Sequence, residues 1–333
     1  MSSYVFRPGT EPPTSTRWLA HRFPNRGWLI ADLQRRIDRA PSPIASYAPN
    51  PGRFGHAVER VLALDLCDRP PYPQLIANLP EPGQRRLLAT AGYASPTDAS
   101  DGPWHKTAEH IPGARLFTVG SLLTVLDTAV HALRLAAPDA ARAAIRAALR
   151  HQETLTACAT GVRAARPAFG AFWASYTSGF QTALRSYGPV TTPLELLDGL
   201  RVADFLAGTT IIELKTGHLD DTNHLHALID QVMTYALLAP ASGHPVTAIV
   251  MYLARYHVMA RYPLDLFLSR LAGKPIDTAE AGCHLAALIR AEPQHGDQLP
   301  TEPAREPMLW PPAMPSSGST KRAPDTRYVT HQQ

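Results

Sequence analysis

The stretch Leu200–Gly217, LRVADFLAGTTIIELKTG, constrains this chain more than any other. Two short apolar runs flank Ala207–Gly208, a pair suited to a turn, so the segment reads as a β-hairpin. One run carries Asp204; the other carries Glu213 and Lys215 with Leu214 between them. Side chains alternate along a strand, so Glu213 and Lys215 share a face while Ile212 and Leu214 turn to the opposite, packed one. The hairpin returns Asp204 to the same end. Two carboxylates and an ammonium gathered at a sheet edge suit a hard divalent cation and a water beside it better than they suit a core.

The rest of the chain sets the frame for that hairpin. With 333 residues and 45% hydrophobic content it can bury one sizeable core or two modest ones. No apolar run approaches the roughly 20 residues of a membrane span, and the N-terminal stretch lacks the apolar segment of a secretory leader. Cys67, Cys158 and Cys283 are far apart and unpaired in pattern, which suits a reducing, cytoplasmic setting rather than a disulfide framework. The net charge of +4 permits a nucleic-acid partner.

Residues 1–27 read as an irregular arm, and the spacing of Leu29, Ile30, Leu33 and Ile37 predicts a helix over Trp28–Arg39, stopped by Pro41. A second helix is expected over Arg53–Leu66. Val58, Leu62 and Leu66 form its apolar arc, Glu59 sits at the margin of the arc near Gly55, and His56 is expected to point elsewhere. Glu59 reads either as an exposed carboxylate paired with a basic neighbour or as a ligand aimed along the helix–sheet boundary. A short helix over 81–92 and a loop over 95–112 follow. Helices are then predicted over 114–136, 138–160 and 168–187, with Pro138 and Pro167 as breaks.

Arg142, Arg146 and Arg150 recur every four residues on one helical face. Between His131 and Gly188 seven arginines face only Asp139 and Glu153, a net of +5, more than the whole chain's +4. This row is either a solvated helix face or a phosphate-contacting surface. After the hairpin, Asp221 or Thr222 can cap a helix to about Leu238 whose stripe is Leu225, Leu228, Ile229, Val232, Tyr235 and Ala236, with Gln231 and Tyr235 four apart on one side. A strand over Val246–Ala254 pairs with His257–Tyr262. Helices over Pro263–Leu271, ended by Gly273, and Thr278–Ala291 complete the ordered part, and 292–333 reads as a Pro-rich disordered tail.

Asp204, the E-L-K run Glu213–Leu214–Lys215, and a following helix with Gln231 and Tyr235 in a Q-x-x-x-Y spacing resemble the PD-(D/E)XK nuclease superfamily, most closely its RecB-like branch. Met251–Leu268 is similar to bacterial members of that superfamily. The resemblance covers mainly residues 200–270, with an outlying helix at 53–66. It implies an α/β, restriction-endonuclease-like mixed β-sheet flanked by helices. A large helical insertion, about 80–188, would separate the first core helix from the hairpin. The expected division is an arm at 1–52, a nuclease-like domain at 53–291 and the tail.

The same resemblance implies metal-dependent hydrolysis of phosphodiesters, with DNA the first choice of substrate. Asp204 and Glu213, with the Leu214 carbonyl, would hold Mg²⁺ or Mn²⁺. RecB-like proteins usually carry a histidine ligand on the first helix, four residues after a glycine. Here Glu59 takes that place, four after Gly55. Lys215 would orient the attacking water and offset charge. Gln231 and Tyr235 would bond near the metal and the substrate phosphate. The alternative is a catalytically idle nuclease-like subunit that binds nucleic acid or serves assembly. A helical interaction protein with an accidental E-L-K would require that 200–215 form no hairpin. The cluster His218, Asp220, Asp221, His224 and His226 is richer in ligands than in geometry, because His224 and His226 diverge at a helix start. It reads as a polar loop beside the site.

Overall fold

The computed structural model describes residues 13–41, 44, 51–94, 104–107, 110–133, 143, 152–219 and 221–292. Arg142, Arg146 and Arg150, the expected break at Pro138, Asp220 and, Glu292 apart, the expected tail at 292–333 lie outside these residues. A five-stranded mixed sheet is the centre of the fold. It is built from β3 (Val190–Thr191), β6 (Phe205–Ala207), β7 (Thr210–Lys215), β8 (Ala248–Leu253) and β9 (Val258–Pro263), in the order β3-β6-β7-β8-β9. Only the β7–β8 pair is parallel; the others are antiparallel. Two separate short ladders pair β1 (Tyr93–Ala94) with β2 (His105–Lys106) and β4 (Leu194–Leu196) with β5 (Arg201–Ala203).

The parallel pair needs a crossover, and the helix Thr222–Ala241 supplies it. Asp221 caps that helix, accepting a hydrogen bond from the Asn223 backbone N–H at 2.9 Å. All six residues of the expected stripe are buried. So are Met233, Leu237, Leu238 and Ala239, which makes the C-terminal half of this helix a core element on every side.

Both faces of the sheet are covered. Ile212, Leu214, Val250 and Tyr252 pack with α3 (Pro51–Leu66), α6 (Gly113–Leu133) and α7 (Gln152–Ser175). Ile211, Ile249, Met251 and Leu253 pack with the crossover helix, α2 (Gly27–Asp38) and the helices Leu264–Ala272 and Thr278–Ala291. Hence β8, Ala-Ile-Val-Met-Tyr-Leu, is apolar and buried throughout, as a strand covered on two sides should be. The expectation of one packed face is therefore corrected: Glu213 and Lys215 rise toward a second core, beside the crossover helix.

Other expectations are corrected as well. The arm is not irregular over its described part, because α1 (Thr14–Arg22) forms there. It docks through Trp18 stacked on His284 at 5.2 Å and through the Ser15 N–H donating to Glu292 at 2.7 Å. Likewise α2 is tied to the sheet body by an Arg26–Asp230 ion pair at 2.7 Å and by the Tyr262 hydroxyl donating to Asp32 at 2.7 Å. Pro167 does not break its helix but lies inside α7, where buried Ala165, Ala168 and Phe169 outweigh the lost backbone hydrogen bond. A wide turn, Tyr176–Phe180, and a short helix, Gln181–Arg185, follow. Within the expected loop, His105–Lys106 pairs with Tyr93–Ala94.

The helical segment between α3 and the hairpin is not an appendage. One of its long helices, α6, crosses α3 so closely that a Cβ on Gly120 would sit 2.8 Å from the Ala57 carbonyl oxygen and 2.9 Å from Val61. α3 is thereby buried on nearly all sides, from Phe54 to Leu66. Gly120→Ala should destabilise the fold by about 1–3 kcal/mol through this overpacking. Urea unfolding would show a lower midpoint with an unchanged slope; an unchanged midpoint would mean that the helices part at no cost.

Candidate active site

The hairpin forms with its turn one residue later than expected, at Gly208–Thr209, because Ala207 is still paired with Thr210. Gly208 has φ +55°, and a Cβ there would lie 2.3 Å from the Tyr187 carbonyl oxygen, so the turn needs glycine twice over. Phe205 pairs with Ile212. One step further along this register brings Asp204 beside Glu213–Leu214. Asp204 Oδ2 accepts from the Leu214 backbone N–H at 2.8 Å, and the Asp204 carbonyl accepts from Thr192 Oγ1 at 2.6 Å.

Glu213 is shielded completely from solvent. Its Oε1 accepts from Lys215 Nζ at 2.6 Å, while its Oε2, also shielded, has no hydrogen-bond partner among the described residues. Lys215 Nζ also donates to Gln231 Oε1 at 2.8 Å, and Gln231 Nε2 donates to the Tyr235 hydroxyl at 2.9 Å. The crossover helix thus orients the ammonium through a side-chain relay, and the four-residue spacing of Gln231 and Tyr235 makes the relay possible.

The charges do not balance. Burial, then the charges of Glu213 and Glu59, push the Asp204 carboxyl well above its usual range, against the pull of Lys215 and the Leu214 N–H. Burial also raises Glu213, although Lys215 opposes it. Burial alone would lower Lys215, but Glu213 and Asp204 more than offset it and hold the ammonium protonated. A fully buried carboxylate, Glu213, and a half-buried one, Asp204, therefore share one cation, and Glu213 Oε2 is left without a donor among the described residues. That is the environment in which an oxygen-seeking divalent cation is favoured.

Glu59 enters from α3. A Cβ on Gly55 would lie 2.7 Å from Thr216 Oγ1, so this helix passes directly over the end of β7, with Glu59 one turn further on. Glu59 Oε1 lies 3.4 Å from the Tyr72 hydroxyl, and Oε2 lies 3.5 Å from His56 Nδ1. Burial would raise its pKa, but His56 and Arg60 overcome this and hold it at about 2. His56, three residues earlier, faces Glu59 and does not point elsewhere; the i, i+3 spacing was the signal for it. Neither Tyr72 nor Thr192 stands out in the sequence.

As they stand, these carboxylates do not converge on one point. Among the described residues no group of three or more His, Cys, Asp and Glu side chains is arranged to hold a metal ion. Asp204 leans on Leu214, Glu213 on Lys215, and Glu59 on Tyr72 and His56. Leu214 itself buries its side chain against the α3 layer. In the His218–His226 cluster, Asp221 is occupied as a helix cap. No helix among the described residues is long and apolar enough to cross a membrane. Comparison with protein-family models, curated proteins and solved structures finds no match to this chain.

The charge imbalance makes a stability prediction. A carboxyl whose folded pKa is raised holds its proton more tightly in the folded chain, so stability is lost as pH rises through that raised value. Asp204→Asn keeps an acceptor for the Leu214 N–H and leaves Lys215 paired one to one with Glu213. In EDTA at neutral pH it should stabilise the protein by about 1 kcal/mol, near 2–4 °C in Tm for a domain of this size. The gain should shrink as pH falls into the ordinary carboxylate range. A Tm lowered at neutral pH would show that Asp204 serves the fold.

Proposed function

We propose that this protein is a Mg²⁺- or Mn²⁺-dependent nuclease of the PD-(D/E)XK type, hydrolysing phosphodiester bonds of nucleic acid, with DNA the first choice. The observation that carries the reading is the fully buried Glu213 and the half-buried Asp204 gathered at the one ammonium of Lys215, with Glu213 Oε2 unsatisfied. A fold without chemistry to perform has no physical use for that arrangement, because desolvating the charges costs more than an apolar trio would. The hairpin, the crossover helix and the parallel strand after it agree with a restriction-endonuclease-like core.

The donor set fits a hard cation: Asp204 and Glu213 would hold it, with the Leu214 carbonyl and Glu59 completing the oxygen ligands. Such an ion, when bound, lowers the pKa of a water and neutralises charge on the scissile phosphate. Lys215, kept protonated by its two carboxylates, orients the attacking water and offsets charge as it develops. Gln231 fixes the ammonium, and Tyr235 fixes the Gln231 amide. Glu59 keeps its side chain 20% exposed, so solvent reaches the cluster at its α3 side. Arg142, Arg146 and Arg150 would supply phosphate contacts, independent of sequence.

The complete burial of Glu213 against Lys215 favours a second reading, in which the chain is an idle nuclease-like subunit that binds nucleic acid or serves assembly. One assay separates the two. The purified protein should cut single- or double-stranded DNA in Mg²⁺ or Mn²⁺ and not in EDTA, and Lys215→Ala should lower the rate by at least ~100-fold while binding persists. Binding without cleavage in either metal would establish the idle reading. Undiminished cleavage by Lys215→Ala would remove this site from the chemistry.

A further inference from the structure

Glu59 approaches the hairpin from a helix on the opposite side of the sheet to Gln231 and Tyr235, so something must fix its direction. Tyr72 stands where that work would be done. Its backbone is left-handed, φ 58° and ψ 49°, uncommon for a bulky residue, and the following Pro73 already disfavours the ordinary helical alternative. Packing holds it there. The ring belongs to the α3-side core, and the Arg60 guanidinium lies 5.2 Å from its centre. Arg60 is itself anchored, donating to the His56 carbonyl at 3.1 Å and to Asp127 at 2.7 Å. At the other end of the phenol, the hydroxyl lies 3.4 Å from Glu59 Oε1 and against the Thr192 side chain. Thr192 in turn donates to the Asp204 carbonyl at 2.6 Å.

We infer that Tyr72 is a positioning residue, a strut that sets the Glu59 carboxylate of α3 against the segment bearing Asp204. The inference rests on the nuclease reading in one respect, the assignment of Glu59 to the metal. A buried tyrosine needs an acceptor for its hydroxyl, and many neighbours could serve. The acceptor here is the α3 carboxylate whose charge Asp204 and Glu213 both sense. The contact is long for a hydroxyl–carboxylate bond, as expected of a guide for the side chain rather than a clamp on it. Strained backbone retained at a bulky residue is also typical of functional sites.

The test is Mn²⁺ binding by the full chain, read from the electron paramagnetic resonance signal of free Mn²⁺. It compares wild type, Tyr72→Phe, Glu59→Gln and the double variant. Tyr72→Phe keeps the ring and its packing, so thermal unfolding should stay close to wild type. Its Kd for Mn²⁺ should rise about 10–100-fold, as for other losses of support around a ligand. In the Glu59→Gln background the same change should add nothing, because Tyr72 acts through Glu59. An unchanged Kd in Tyr72→Phe, or losses that add in the double variant, would overturn the inference. Should Tyr72→Phe fail to fold, Thr192→Val, which frees the far end of the strut, should raise the Kd in the same direction, and an unchanged Kd there would overturn the inference. If wild type binds no Mn²⁺, this inference and the metal assignment fall together. If Mn²⁺ binding depends on Tyr72 and Glu59 but no nucleic acid is cut, the strut stands and only the nuclease reading falls.

Discussion

One ammonium, that of Lys215, faces two carboxylates, Glu213 taken wholly out of water and Asp204 half out of it, and the surroundings of the site follow from that imbalance. Glu213 cannot be buried without Lys215, since an unpaired carboxylate in such a place would take up a proton instead. Lys215 cannot hold its direction without Gln231, and Gln231 is oriented by Tyr235. The backbone contributes as well: the Leu214 N–H, tied to Asp204 Oδ2, draws the second carboxylate toward the strand that carries the first. The cluster is thus well fixed in position yet poorly satisfied in charge, with Glu213 Oε2 left over. Structural ion pairs are usually the reverse, balanced in charge and replaceable by apolar residues of like volume.

The site is assembled from both faces of the sheet. The crossover helix delivers Gln231 and Tyr235 from one side, and α3 delivers Glu59 from the other. The second delivery depends on two close approaches. Gly120 lets α6 press on α3 at Ala57 and Val61, and Gly55 lets α3 pass within reach of Thr216 at the end of β7. The helical segment before the hairpin therefore contributes one of the two cores and fixes the angle of the helix that bears Glu59. In this chain, the packing of an apparent insertion and the geometry of the candidate site are a single problem.

Much of this was legible from residue spacing. The alternation of Glu213 and Lys215, the glycine after Ala207, the Asp221 cap and the helix Thr278–Ala291 all follow local rules, and each forms where local chemistry puts it, the turn slipping by one residue. What local rules could not supply was tertiary. Pro167 sits inside a helix because Ala165, Ala168 and Phe169 are buried around it. The N-terminal segment Thr14–Arg22 becomes helical through contacts with residues more than 260 positions away, Ser15 with Glu292 among them. The second core behind Ile211 is invisible to a reading that assigns a strand one packed face. Tyr72 was illegible for a further reason: its left-handed backbone and its contact with Glu59 belong to a packed setting that includes Arg60 over its ring, and no pattern in the Pro-rich run around it announces either.

The central claim is that Asp204 and Glu213 are ligands waiting for a cation rather than parts of a closed ion-pair network. A crystal of the protein soaked in Mn²⁺ tests it most directly, through the anomalous scattering of the metal. The account predicts a single strong peak within bonding distance of oxygens from both carboxylates, with Lys215 still protonated beside it and Glu59 turned toward the peak. A soaked crystal with the Glu213–Lys215 pair intact and no Mn²⁺ at Asp204 would contradict the account and return these residues to the structure of the core.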